Sequence, residues 1–246
     1  MSAIFEKSEV NVFRYMSLSL ALMVILAAAA YAVPDIQLFI DGATYDWDTQ
    51  SWVSTSAGSV DLYVVSANDT KSDVIVCLAL GEGGDPRDMN VDFAGTAIDP
   101  GEWLYGNPPL PPEWNHSGDL ARHSIYPAYF AEVHTGSYGI GMNVGDVQPV
   151  SPGGEYWDPT STPEFPGAPA NAMGEWKMFT VDITGPVGSA IHFDAYTLNP
   201  DGTIDAFAPF SHDATTTIVP EPGTIVLLGS GLLGLGLAAY RKRKRS

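Results

Sequence analysis

Gly58-Ser59-Val60-Asp61-Leu62-Tyr63-Val64 alternates along the chain, and Val60, Leu62 and Val64 fall on one face if the backbone is extended. That period of two marks a strand with one side in a core. A few residues on, Val74-Ile75-Val76-Cys77-Leu78-Ala79-Leu80 is apolar without a break, which predicts a central strand covered on both faces. Working outward, Asp35 to Ile40 reads as a first strand. Thr44 to Trp47 and Ser51 to Ser54 read as a hairpin across Asp48-Thr49-Gln50. Trp176 to Ile183 resumes the alternation with Phe179, Val181 and Ile183 on one face. A Gly185-Pro186-Val187-Gly188 turn follows, and then Ile191 to Tyr196, with Ile191, Phe193 and Ala195 inward. Nothing between Val33 and Ile218 shows a helical period. The expected class is all-β, an antiparallel β-sandwich, and strand order does not follow from these patterns.

Two stretches resist the scheme. Asp99 to Ser117 and Pro149 to Met173 are rich in Pro, Gly and aromatic residues and predict long surface loops. Between Val33 and Ile218 there are four basic residues, Lys71, Arg87, Arg122 and Lys177, against 26 acidic ones, a net of −22. A surface of that sign repels nucleic acid and anionic lipid, and it attracts divalent cations. Cys77 is the only cysteine, so no intrachain disulfide can form; its apolar setting marks it as core.

Both ends of the chain are of a different kind. Tyr15 to Ala32 is apolar, follows Lys7 and Arg14, and ends in Ala30-Tyr31-Ala32, the small-x-small pattern that signal peptidase reads. Residues 1–32 therefore predict a signal peptide, diluted by Glu6 and Glu9, with cleavage leaving Val33 first. At the other end, Val219-Pro220-Glu221-Pro222 precedes Thr224 to Tyr240, which carries no charge. As a helix that run would be about 25 Å long against a hydrocarbon core of about 30 Å, a short transmembrane span. Gly229, Gly231, Gly234 and Gly236 suit a membrane helix, where small residues permit close approach. Arg241, Lys242, Arg243, Lys244 and Arg245 follow at once and hold that end in the cytoplasm. The body, residues 33–218, is then outside.

The tail 219–246 resembles the PEP-CTERM sorting signal. The likeness lies in Val219-Pro220-Glu221-Pro222-Gly223, in the run Leu227-Leu228-Gly229-Ser230-Gly231-Leu232-Leu233-Gly234, and in the basic end. The resemblance implies a Gram-negative cell, export across its inner membrane, and recognition by exosortase. It also implies a final place at the cell surface or in the extracellular polysaccharide of a biofilm matrix. The body resembles the choice-of-anchor group, in residues 37–46 (QLFIDGATYD) and 207–214 (FAPFSHDA). That likeness implies an exported β-rich domain and no particular activity.

Candidate chemistry in the body is sparse. Asn199-Pro200-Asp201-Gly202-Thr203-Ile204-Asp205 sets two carboxylates around a glycine turn. Asp201 and Asp205 are candidate calcium ligands, although the distal Glu of a full calcium loop is missing and a plain hairpin turn explains the same residues. His116, His123, His134, His192 and His212 form no HExxH and no close pair along the sequence, so a zinc site is not indicated. His212 and Asp213 are neighbours and should face opposite ways on a strand. There is no G-x-S-x-G and no Cys–His setting, so no catalytic residue is assigned. Trp103, Tyr105, Trp114, Tyr156 and Trp157 lie in the two long loops. They either pin the loops to the body or stack on sugar rings.

The sequence thus points to an exported, surface-sorted, non-enzymatic structural or adhesion protein. A carbohydrate-binding module using the loop aromatics is the alternative, and a surface hydrolase stands behind both. The partners expected are signal peptidase and the export machinery, exosortase, the membrane through the C-terminal helix, and extracellular polysaccharide. No nucleic acid and no cofactor is expected beyond the calcium considered above.

Overall fold

The structure, a computed structural model, describes residues 33–109, 120, 125–149, 151–161 and 172–220, with Gly223 and Ser230. The signal-peptide stretch 1–32, Trp114, Glu221, Pro222, the basic residues 241–245 and all but Ser230 of the expected span 224–240 lie outside the described residues. Among the described residues no helix is long and apolar enough to cross a membrane.

Two sheets face each other. The first contains β1 (Ile36–Ile40), β4 (Ser59–Ala67), β11 (Ala172–Thr184), β6 (Asn90–Phe93) and β7 (Thr96–Ile98), in that order, and β10 (Met142–Val144) continues the β6 side of β11. The second runs β2 (Thr44–Asp46), β3 (Ser51–Ser56), β14 (Ala214–Ile218), β12 (Ala190–Leu198), β5 (Ile75–Leu80), β9 (Ala128–His134) and β8 (Leu104–Gly106). β13 (Ile204–Phe207) pairs with the second half of β12, on the same edge that β14 occupies along the first half.

Register follows from the apolar alternation. Leu38 lies opposite Val64, Ile40 and Phe179 opposite Leu62, and Val181 opposite Val60, so one face of β1, β4 and β11 is a continuous apolar patch. It packs on Val76, Leu78, Ile191, Phe193 and Ala195 of the second sheet, in one shared core.

One pair departs from the antiparallel expectation: β14 runs parallel to β3, from Ala214 opposite Trp52 to Ile218 opposite Ser56. About 160 residues separate these strands, so no tight turn dictates their direction.

The long loops also differ from expectation. Asp99 to Ser117 is not loop throughout: a 3-10 turn at Pro100–Glu102 leads into β8, which pairs with β9. The Asp99 amide donates to Glu102 Oε2 at 2.7 Å, closing that turn. The described residues of 145–161 carry no strand, yet they are firmly held. The amide of Gln37, a fully buried side chain on β1, donates to the Gly145 carbonyl and accepts from the Val147 N–H, at 3.0 and 2.9 Å. Gln148 donates to Tyr45 of β2 at 2.9 Å, and Tyr156 packs against Phe39 and Trp52. The segment closes the side of the molecule where β1 meets β2 and β3.

Gly174 sits where β4, β10 and β11 converge, opposite Ala67 and Met142. A Cβ there would stand 2.0 Å from the Ser66 carbonyl oxygen and 2.8 Å from Val144 Cγ2. Gly174→Ala is expected to cost about 1–3 kcal/mol in urea unfolding. Gly58→Ala, which meets nothing within 4 Å, should stay within about 0.5 kcal/mol of the parent.

Candidate functional site

β12 is buried on both faces. Ile191, Phe193 and Ala195 enter the shared core as expected, but His192, Asp194 and Tyr196 on the opposite face are buried too. That outer face is roofed by the connection between β8 and β9. Leu120, Ile125 and Tyr126 pack with Ile75, Cys77, Ala79, Phe130 and Tyr196 in a second apolar cluster. β5 therefore has apolar neighbours on both sides, which explains its unbroken apolar run.

Polar groups cut into this outer layer. Tyr126 donates its hydroxyl to Asp194 Oδ2 at 2.6 Å, and its oxygen lies 3.4 Å from Cys77 Sγ. Tyr196 donates to Glu132. His192 and Asp194, two residues apart on β12, share a face. Asp213 arrives from the neighbouring segment, between the 3-10 turn Phe210–His212 and β14. His192 Nε2 lies 3.4 Å from Asp194 Oδ2 and 3.6 Å from Asp213 Oδ2. Its Nδ1 is 2.8 Å from Thr215 Oγ1. The three side chains can each turn one ligand atom inward, all within 4.8 Å of one another, and they form the one such metal-capable group among the described residues. The relative exposures of His192, Asp194 and Asp213 are 7%, 0% and 1%.

Two cavities adjoin this face. One, about 490 Å³, is lined by His192, Asp213, Phe210, Asp46, Asp48 and Thr49 among others. The second, about 510 Å³, is lined by Tyr105, Tyr126, Tyr129, Glu82 and Asp85. There Tyr105, 65% exposed, meets the half-exposed Tyr129 edge to face, with ring centres 5.1 Å apart.

The loop aromatics divide. Trp103 and Trp157 are 6% and 2% exposed and present no ring face to solvent; both belong to the shared core. Tyr156 is partly exposed but rests on Phe39 and Trp52. Tyr105 stands out in solvent. Asp201 and Asp205 flank the turn between β12 and β13. Asp201 accepts from the Thr203 hydroxyl at 2.7 Å and its amide at 3.1 Å, which holds its carboxyl below the usual range, while Asp205 faces Thr197 on β12. His212 and Asp213 do face different partners: His212 Nε2 meets Asp146 Oδ1 at 2.8 Å, and Asp213 meets His192.

The sequence shows no histidine pair and no zinc pattern, and the grouping of His192, Asp194 and Asp213 is a spatial one that such patterns do not report. Its one sequence signal is His-x-Asp within an apolar-alternating strand, which places both side chains on one face. Asp213 could not be added without knowing that β14 pairs with β12.

Burial pushes the Cys77 thiol and the Tyr126 and Tyr196 hydroxyls well up, and the Asp194 and Glu132 carboxylates push the same way. Burial also raises Tyr45 to about 12, against the hydrogen bond from Gln148, which lowers it. The folded chain thus keeps protons that the unfolded chain releases from about pH 9 for the thiol and about pH 10 for the phenols. Stability should be full below about pH 9 and fall as pH rises through the folded values. The urea midpoint, followed by tryptophan fluorescence, is expected to drop between about pH 9 and 12, and Tyr45→Phe should flatten the part between about pH 10 and 12. An equal slope in the variant would contradict the assignment to Tyr45.

The C-terminal segment leaves the fold abruptly. The Val219 N–H donates to the Ser56 carbonyl at 2.9 Å, extending the β14–β3 ladder by one bond, and Pro220 is exposed. Proline has no amide hydrogen to continue the ladder. None of the curated proteins compared matches the chain. Residues 219–244 match the family described as the PEP-CTERM protein-sorting motif. The chain therefore carries a PEP-CTERM sorting motif directly behind the last strand of its folded body, which indicates an exported, surface-sorted protein and implies recognition by exosortase.

Proposed function

We propose that this protein is a non-enzymatic structural or adhesion module of the extracellular polysaccharide or biofilm matrix of a Gram-negative bacterium. In this reading signal peptidase removes residues 1–32 during export. The span 224–240 then holds the precursor in the inner membrane, and exosortase acts near Pro220-Glu221-Pro222 to release the body to the surface. The observation that carries the reading is the sorting motif at 219–244, joined to the body at an exposed proline just past the last sheet hydrogen bond. A processing enzyme needs an extended, accessible segment, and that junction provides its first residue. The body's likeness to the choice-of-anchor group at residues 37–46 and 207–214 supports the same picture.

Intact mass of the protein recovered from cells with and without the exosortase tests it. The expected product starts near Val33 and ends near Pro220-Glu221-Pro222, and it appears only with the enzyme. Glu221→Ala, or deletion of Arg241 to Arg245, should leave membrane-bound precursor. Processing that persists after both changes would refute the reading.

One observation favours carbohydrate binding as a second reading. Tyr105 and Tyr129 present an aromatic corner to a cavity that also contains Glu82 and Asp85, a combination suited to stacking on a sugar ring and accepting hydrogen bonds from its hydroxyls. Tyr105→Ala is expected to reduce binding to a matrix glycan about 10-fold or more with the fold unchanged by circular dichroism. No binding by the parent on a broad glycan array would exclude this reading.

A further inference from the structure

We propose that the cavity between the Tyr105–Tyr129 corner and the turn from Gly81 to Asp85 takes a polysaccharide with free amino groups, an amino-sugar polymer in its protonated form. The proposal rests on the carbohydrate-binding reading above and gives that reading a ligand class.

Both walls of the cavity are built before a ligand arrives. Tyr105 lies directly opposite Tyr129 in the β8–β9 pair, so two strands fix the aromatic wall. On the other wall the Gly84 N–H donates to the Gly81 carbonyl at 2.9 Å, and the Gly81 N–H donates to the Ala190 carbonyl of β12 at 2.9 Å. Gly84 runs so close to the end of β5 that a Cβ there would stand 2.8 Å from Leu80 Cβ. Tyrosine faces give a sugar ring a surface to stack on, and they give an ammonium group the negative side of their quadrupole. The carboxylates decide which sugar fits. Asp85 is already engaged, since it accepts from Arg87 Nε at 2.9 and 3.1 Å. Glu82 is exposed, and its side chain has no hydrogen bond or ion pair with any described residue. No Lys or Arg is among the described residues that line the cavity. A sugar hydroxyl offers the Glu82 carboxylate a neutral hydrogen bond, whereas an ammonium offers a charge-assisted one, about twice as strong. The charge of the whole body acts in the same direction. With four basic residues against 26 acidic ones between Val33 and Ile218, the surface repels uronate polymers and gathers a polycation.

The test uses the full chain in a non-ionic detergent, titrated calorimetrically at slightly acidic pH so that sugar amines are protonated. The probes are glucosamine oligomers, the same oligomers fully N-acetylated, and uronate oligomers of matched length. The free-amine oligomer should bind about 10-fold or more tightly than the acetylated one, and added salt should narrow the difference. The uronate should not bind. Glu82→Gln should bring the free-amine affinity down to that of the acetylated oligomer and leave the latter unchanged. Tyr105→Ala should weaken both by about 10-fold or more, with the fold unchanged by circular dichroism. Asp182→Asn, exposed on β11 in the other sheet, should alter neither. Equal or tighter binding of the acetylated or the uronate oligomer would overturn the proposal and leave the carbohydrate reading standing. A free-amine preference that survives both Glu82→Gln and Tyr105→Ala would put the polycation elsewhere on the acidic surface and would also overturn it. No binding of any of the three would remove both this proposal and the reading beneath it.

Discussion

The strand β12 has no solvent face, and most of the molecule answers to that constraint. Its Ile191, Phe193 and Ala195 build the shared core, so its other side chains must project into whatever covers the second sheet from outside. Had those been apolar, the roof between β8 and β9 would need only to exclude water. Instead they include a histidine and an aspartate, and polar partners reach them from three directions: Thr215 from β14, Tyr126 from the roof, Asp213 from the segment entering β14. A buried polar layer of this sort specifies its own surroundings, because a wrong register would leave charges buried without company.

The edges of the two sheets are closed by equally local devices. Gln37 spends its whole amide on the backbone of residues 145–147, and Tyr45 meets Gln148, so a segment without secondary structure becomes a fixed wall. β14 is paired on both sides, by β12 and by β3, and this joins the end of the body to the hairpin near its beginning. Both also add apolar side chains to the shared core, Val147 and Trp157 from the segment and Ala214 and Ile218 from β14. Each satisfies backbone groups that the sheet edges would otherwise leave open.

The longer strands and the first hairpin were legible in the sequence: β1, β2, β3, β4, β5, β11 and β12 lie where alternation, an unbroken apolar run or turn chemistry places them. β6, β7, β10 and β13 were not, because runs of three or four residues carry too few side chains to show a period. β8 was hidden in a Pro- and Gly-rich stretch, and β14, Ala-Thr-Thr-Thr-Ile, has little apolar signal of its own. For Trp103 and Trp157 the sequence left both packing and ligand contact open, since a large ring serves both. Their burial depends on long-range folding. The His192, Asp194 and Asp213 grouping was out of reach for the same reason, as it joins side chains of β12 to one that precedes β14, and only the tertiary structure states the pairing of those strands. The sorting tail was legible throughout, because its meaning lies in a linear order of proline turn, apolar run and basic end.

The way the chain leaves the body has a mechanical consequence. Ala214 to Ile218 lies hydrogen-bonded between β12 and β3, and Val219 adds one more bond to Ser56 before Pro220 ends the ladder. A pull on the chain beyond Val219 along the strand axis loads the hydrogen bonds on both flanks of β14 in shear, all together, instead of peeling them one at a time. The body is thus gripped at its exit like a blade in a sheath, so that tension on the sorting tail meets the sheet's most collective resistance.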